Sequence, residues 1–258
     1  MTGDNDDGYL NGPKGELLRL LEQLEEKMGL TDPVIRALVD GSDITYPPGH
    51  IPLLTCHEPT QQVRFVVQGC VKIVCRLPRY RRRLTLDLVG KGEFLCLPPA
   101  NAKYPPCRIE AVVHEGPVAL ALIPRNLVAR AIGQLPEGNI AQLVSRTWRS
   151  VWRLAVAKTS LLALPTGQRL IRELARLAGR FGRIHDDCWT RIEVRLRQDD
   201  LASLIARSRS NVSRAFTKLR KDGSVDRVGG RILIATSVLH PGGPPHSGRP
   251  HAVPAVLP

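Results

Sequence analysis

Residues 207–219 read RSRSNVSRAFTKL. Val212, Ala215, Phe216 and Leu219 recur at i, i+3, i+4 and i+7, the spacing of one helical face. The opposite face holds Arg209, Ser210, Ser213, Arg214, Thr217 and Lys218. A helix that buries one side and presents short polar and cationic groups on the other is shaped to press against an anion. The alternative is a solvated cationic face on an ordinary packing helix, and the flanking sequence weighs between the two.

Upstream lies RQDDLASLIA, where Leu201, Leu204 and Ile205 form a short apolar stripe that Asp199 or Asp200 is placed to cap. A tight turn is expected at Ala206-Arg207, with Ser208 as the cap of the second helix, residues 209–221. Downstream, VDRVGGRILIA predicts a two-stranded hairpin turning at Gly229-Gly230. Two short helices joined by a tight turn and followed by a hairpin make a winged helix-turn-helix. A B-form major groove, about 12 Å wide, admits one helix, and arginine can pair bidentately with guanine there. Double-stranded DNA is therefore the expected partner. The candidate contacts are Ser208, Arg209, Ser210, Asn211, Ser213, Arg214 and Lys218, with Arg197 ahead of the first helix and Arg231 in the wing. Lys218, Arg220 and Lys221 suit phosphates. No aromatic stacking surface favours single strands.

Charge agrees. The 258 residues carry a formal net charge of +13. Residues 165–240 hold 16 Lys and Arg against 8 Asp and Glu, so most of the excess lies in this segment. An acidic partner follows from that balance, with nucleic acid ahead of an anionic membrane surface. No apolar run reaches the roughly 18 residues of a membrane span. The opening MTGDNDDGYLNG lacks the basic-then-apolar layout of a secretory signal, so a cytoplasmic protein without membrane partners is expected. The six cysteines, Cys56, Cys70, Cys75, Cys96, Cys107 and Cys188, include no C-x-x-C pair. Disulfides are not expected in that compartment.

The rest of the chain sets the architecture. Residues 1–30 read as a flexible tail and an amphipathic helix with Leu17, Leu18, Leu21, Leu24 and Met28 on one stripe. TDPVIRALVDG predicts a short helix, capped by Thr31 or Asp32. Residues 31–136 are dominated by β-branched runs such as RFVVQGCVKIVCRL, punctuated by Gly and Pro, which predicts an antiparallel β-roll of jelly-roll type. In it Cys70 and Cys75, five apart on one strand, should face opposite sides. Residues 137–164 form one long helix. Ile140, Leu143 or Val144, Thr147, Val151, Leu154 and Lys158 approximate a heptad seam, flanked by Trp148 and Trp152. That seam buries itself against a second copy, or packs on its own β-domain. Thr166 is placed to cap the next helix, TGQRLIRELARLAGRFG. The winged domain takes residues 165–240, and the Pro- and Gly-rich residues 241–258 predict no fixed structure. The expected class is α+β: an N-terminal β-roll, a long central dimerisation helix and a C-terminal winged helix-turn-helix.

LRQDDLASLIARSRSNVSRAFTKLRKDG resembles the helix-turn-helix of the Crp/Fnr family of bacterial transcription regulators, with S-R-x-x-V-x-R at Ser208, Arg209, Val212 and Arg214. YPPGH, FVVQGCVKI, LVGKGEF and TGQRLIRELARLA resemble, in order, the P-x-G, the glycine-bearing strand, the Gly-acid turn and the post-hinge helix of that family. The resemblance covers roughly residues 31–240. It implies a homodimer through the central helix, a palindromic operator, an effector pocket in the β-roll, and RNA polymerase as a protein partner. It also implies that Arg209, Ser210 and Arg214 read bases; many members carry glutamate where this chain has Ser210.

The effector is left open, and the alternatives are a regulator of the same fold that takes no effector or a haem or redox sensor using Cys96. Cyclic-nucleotide members hold phosphate with an Arg-Ser pair after a Gly-Glu motif. Here those places read Arg108-Ile109 and Cys96-Leu97, and the helix positions Arg153 and Leu154, so cyclic AMP is disfavoured. No cysteine precedes Cys56, so the N-terminal iron–sulfur arrangement is absent. Cys96 stands where carbon-monoxide-sensing members carry a haem ligand, which makes haem a candidate cofactor, with His50, His57 and His114 as second ligands by type alone. A small buried hydrophobe is the plainer reading of Cys96. Cys96, Arg108 and Arg153 are thus the candidate effector residues. PRYRRR, residues 78–83, is a basic hairpin tip that either meets an acidic partner or is solvated. No phosphate loop, nucleophile elbow or H-E-x-x-H points to an enzyme.

Overall fold

A computed structural model describes residues 12–28, 30–49, 52–55, 61–77, 82–95 and 108–239. The chain divides into two compact units, residues 1–156 and 157–258.

The first unit opens with α1 (Pro13–Met28) and α2 (Asp32–Asp40). Strands β1 (Asp43–Thr45), β2 (Leu54–Thr55), β3 (Gln62–Leu77), β4 (Arg82–Val89), β5 (Phe94–Leu95) and β6 (Arg108–Pro124) follow. α3 (Arg125–Gly133) and most of α4 (Glu137–Leu162) complete it. The sheet is antiparallel throughout, with β3 and β6 paired along nearly their whole lengths. β1 and β2 join β6, while β4 and β5 join β3. The two long strands turn a corner together, where their register slips between Val66 and Val71. Gly69 occupies that corner at φ +82°, and a side chain there would come within 2.6 Å of the Pro117 carbonyl oxygen. Only glycine tolerates both conditions.

Cys70 and Cys75 are both buried, and so are their strand neighbours Val71 and Val74, so both faces of β3 are covered there. Two larger apolar clusters fill the unit, beside a small one around Cys75 and Ile109. One lies inside the roll, around Val66, Val71, Val89, Ala111 and Leu120. The other joins α1 and α2 to the sheet, with Leu17, Leu21 and Ile35 packed with Phe65, Ala121 and Ile123. α1 is therefore part of a core, and Glu16 on it pairs with Lys91 at 2.6 Å. Phe65 meets Phe94 edge to face at 4.9 Å.

The second unit continues from the end of α4 through α5 (Thr166–Phe181), β7 (Gly182–Ile184), β8 (Trp189–Ile192), α6 (Gln198–Leu204), α7 (Arg209–Lys221), β9 (Val225–Val228), β10 (Arg231–Ala235) and α8 (Thr236–Leu239). Its sheet runs β7-β8-β10-β9, again antiparallel. α5 packs against α7, β8 and β10. Leu170, Leu174 and Leu177 of α5 are fully buried, as are Ile192, Leu201, Val212, Ile232 and Ile234.

The central helix departs from the expected seam. Ile140 and Leu143 pack into the core of the first unit, and Lys158 belongs to an ion pair in the second. The outward stripe is instead Val144, Trp148, Val151, Trp152 and Val156, with Trp148 71% and Trp152 62% exposed. No described helix is long and apolar enough to cross a membrane.

Phe65 is fully buried where helices and sheet meet. Replacing it with alanine removes its ring contacts and leaves a cavity, so Phe65→Ala is expected to destabilise the first unit by about 3–5 kcal/mol, read from urea unfolding.

Candidate nucleic-acid interface

α6 and α7 are joined as the sequence predicts. Ala206 takes a left-handed φ of +54° in the turn. The Arg207 N–H returns to the Ala202 carbonyl at 3.0 Å, which closes the turn. A non-glycine residue in that region is strained, and the surrounding bonds hold it there. Ser208 caps α7: its Oγ accepts from the Asn211 N–H at 3.3 Å and lies 3.1 Å from the Ser210 Oγ. At the start of α6 the expected cap moves. Arg197 is the cap position, and Asp200, three residues on, accepts the Arg197 N–H at 3.0 Å. A carboxylate on the first turn reaching back in this way also favours the positive end of the helix dipole.

α7 divides as its periodicity requires. Val212 and Phe216 are buried against the unit, while Arg209, Ser210, Ser213, Arg214, Thr217 and Lys218 are exposed. The Arg209 side chain is 71% exposed and only loosely balanced by Asp199 at 3.6 Å. Arg214 donates through Nη2 to the Asn211 Oδ1 at 2.7 Å, which holds two candidate contacts together on one face. Further along, Arg220 is engaged with Asp226 of β9 at 2.7 Å, tying the helix to the wing. Arg227 lies over the Phe216 ring at 5.4 Å and donates to the Leu196 carbonyl at 3.0 Å. Burial pulls its guanidinium pKa below the usual arginine value. The wing turns at Gly229-Gly230, both at positive φ, and Arg231 follows opposite Val228, half-buried. Arg197 is exposed.

Sequence reasoning missed the network beneath these helices. Arg169 of α5 is 3% exposed. It donates to the Leu164 carbonyl at 2.8 Å, to the Ile205 carbonyl at 3.3 Å and to the Leu162 carbonyl. Burial, then the charge of Arg207, lowers its pKa from the usual value. One turn on, Glu173 is 1% exposed. It accepts Lys158 from the end of α4 at 2.7 Å and Arg176 at 2.8 Å. Burial alone would raise the Glu173 carboxyl, but the bond from Arg176 and the charges of Lys158 and Arg176 outweigh it and hold the pKa below the ordinary carboxylate value. The signal was available: Arg169 and Glu173 occupy the same i, i+4 stripe as Leu170 and Leu174, where apolar residues are expected. Thr166, expected as a cap, is instead the first residue of α5, and Pro165 takes the cap position.

Of the three candidate effector residues, Arg108 and Arg153 are among the described residues. Arg108 is 2.9 Å from Glu110, a buried carboxylate that also pairs with Arg76. Arg153 is exposed on α4, and His114 lies half-buried on β6. Cys96, His50 and His57 lie outside the described residues, as do residues 78–81 of the basic hairpin. Arg83 beyond that hairpin is exposed. Among the described residues no group of three His, Cys, Asp or Glu side chains could hold a metal ion.

A family model described as the Crp-like helix-turn-helix domain matches residues 168–236. The chain carries a Crp-like helix-turn-helix domain. Solved structures extend the likeness in fold to most of the chain. One is a cyclic nucleotide-binding domain containing protein from Listeria monocytogenes, with 15% identity, 85% of this chain and 97% of that chain covered, and a TM-score of 0.64. Another is a CooA variant from Carboxydothermus hydrogenoformans, with 17% identity, coverage of 82% and 95%, and a TM-score of 0.62. A third is the c-di-GMP responsive global regulator CLP of Xanthomonas campestris, with 19% identity, coverage of 79% and 99%, and a TM-score of 0.56. No curated protein matches the sequence. Over the shared residues the chain thus has the fold of these proteins, with the Crp-like helix-turn-helix domain at residues 168–236.

Because the Glu173 carboxyl is held below its unfolded value, its contribution to stability is present above the ordinary carboxylate range and is lost as pH falls through the folded value. In urea unfolding of the second unit, followed by Trp189 fluorescence, stability should fall below about pH 5, and Glu173→Gln should flatten that fall.

Proposed function

We propose that this protein is a homodimeric, sequence-specific DNA-binding transcription regulator that reads a palindromic site with α7. The carrying observation is the exposed face of that helix: Arg209, Ser210, Ser213, Arg214 and Lys218 turned to solvent above buried Val212 and Phe216, in a Crp-like domain. Arg209 and Arg214 are the base-reading pair, with Ser210 between them short enough for close approach. Ser208 and Asn211 hold the helix start, and Lys218, Arg197 and Arg231 contact phosphate.

The homodimer is supported by the outward stripe on α4. Trp148, Trp152, Val144 and Val151 form a contiguous exposed apolar band, which a lone soluble chain rarely presents. Pairing two such helices about a two-fold axis would set half-sites about one helical turn apart. Effector input through the β-roll, RNA polymerase as a partner and a cytoplasmic setting complete this reading. CLP, of the same fold, is described as c-di-GMP responsive. In this chain Arg108 is engaged with Glu110, which speaks against its serving as a free phosphate clamp for cyclic AMP.

Arg209→Ala is expected to weaken binding to a cognate duplex, selected from a random pool, by about 1–3 kcal/mol while leaving affinity for random DNA nearly unchanged. Equal losses on both duplexes would make Arg209 a phosphate contact. Trp148→Asp should convert a dimer to a monomer in sedimentation; an unchanged mass would refute the α4 interface.

A further inference from the structure

We propose that Lys158 is a positioning residue for sequence recognition: from the end of α4 it holds the last turn of α6, and so sets how α7 is presented. The proposal rests on the DNA-reading role of α7 given above.

The geometry is local to the second unit. The Lys158 Nζ lies 2.7 Å from the Glu173 Oε1 and 3.4 Å from the Leu204 carbonyl oxygen. The next carbonyl, that of Ile205, receives Arg169 at 3.3 Å. Two successive carbonyls at the end of α6 therefore each take a cation from a different helix. The C-terminus of a helix carries unpaired carbonyls and a partial negative charge, so these are favourable sites for both cations. Only the Ala206-Arg207 turn separates this point from the Ser208 cap of α7, and Ala206 is held in a strained conformation. A change at the end of α6 therefore has almost no flexible chain in which to dissipate before it reaches Arg209.

Lys158 differs from the cations of the recognition face. Its side chain is 23% exposed and is anchored on Glu173, which is 1% exposed. It acts on DNA through α6 and α7, without a phosphate of its own. That makes it distinguishable by salt dependence, because each lost phosphate contact lowers the slope of log affinity against log salt by about one.

Full-length Lys158→Met, Lys158→Arg and the double variant Lys158→Met with Glu173→Met test the proposal on the selected cognate duplex and a random duplex across a salt series. The double variant leaves no buried carboxylate short of its lysine, so it keeps the fold in place should the single variant lose it. Cognate affinity is expected to fall about tenfold in the Met variants, with random-duplex affinity and the salt slope unchanged, and Lys158→Arg retaining most of the preference. Unchanged cognate affinity in the folded double variant overturns the proposal. So does an equal loss on both duplexes with the slope reduced by about one, which marks a phosphate contact. Arg209→Ala run alongside separates the two readings. If it keeps the cognate preference, the recognition-helix reading falls and this proposal with it. If it loses that preference while the Lys158 double variant does not, this proposal alone falls.

Discussion

Arg169 carries a charge into the interior of the DNA-binding unit, and the helices around it are arranged to receive that charge. Its guanidinium meets the carbonyls of Leu162 and Leu164, where the central helix ends, and the carbonyl of Ile205, where α6 ends. Pro165 breaks the chain between these groups and leaves helix-end carbonyls without intrahelical partners. One planar donor satisfies several of them at once. An uncompensated buried charge would be strongly destabilising, and an unmet buried carbonyl costs roughly 1–3 kcal/mol. Arg169 removes both liabilities and fixes where α6 stops. The turn at Ala206 and the cap at Ser208 follow within three residues, so Arg169 lies close in space to the start of the recognition helix.

What the sequence made legible is what depends on neighbours in the chain. The stripe of Val212 and Phe216, the Ser208 cap and the glycine pair of the wing are local patterns, and each stands where its periodicity or turn chemistry put it. Features that depend on remote partners were opaque. Arg169 and Glu173 look like surface residues until Ile205 and Lys158 arrive from 36 and 15 positions away. The expected α4 seam was legible only in part for the same reason: Ile140 and Leu143 pack inward, while Val144, Thr147 and Val151 face solvent beside Trp148 and Trp152. The register slips of β3 against β6 were likewise unreadable, because strand periodicity does not announce bulges.

The β-roll shows the same division. Its strands and turns were readable from β-branched runs bounded by Gly and Pro, but not the packing of α1 against it. Leu17 and Leu21 of that helix lie in one cluster with Phe65 and Ile123, so the N-terminal helix is structural rather than an appendage. Glu110, set between Arg76 and Arg108, shows that part of the basic charge near the hairpin is balanced within the sheet. A formal charge of +13 therefore overstates the field that a partner meets at that end of the roll.

The three tryptophans of the chain are unevenly placed: Trp148 and Trp152 stand in solvent on α4, whereas Trp189 is buried in the winged unit. Solvent-exposed indoles emit at longer wavelength than shielded ones. The protein therefore contains its own optical gauge, in which a blue shift from the two outer rings registers the covering of the central helix while the inner ring reports separately on the integrity of the wing.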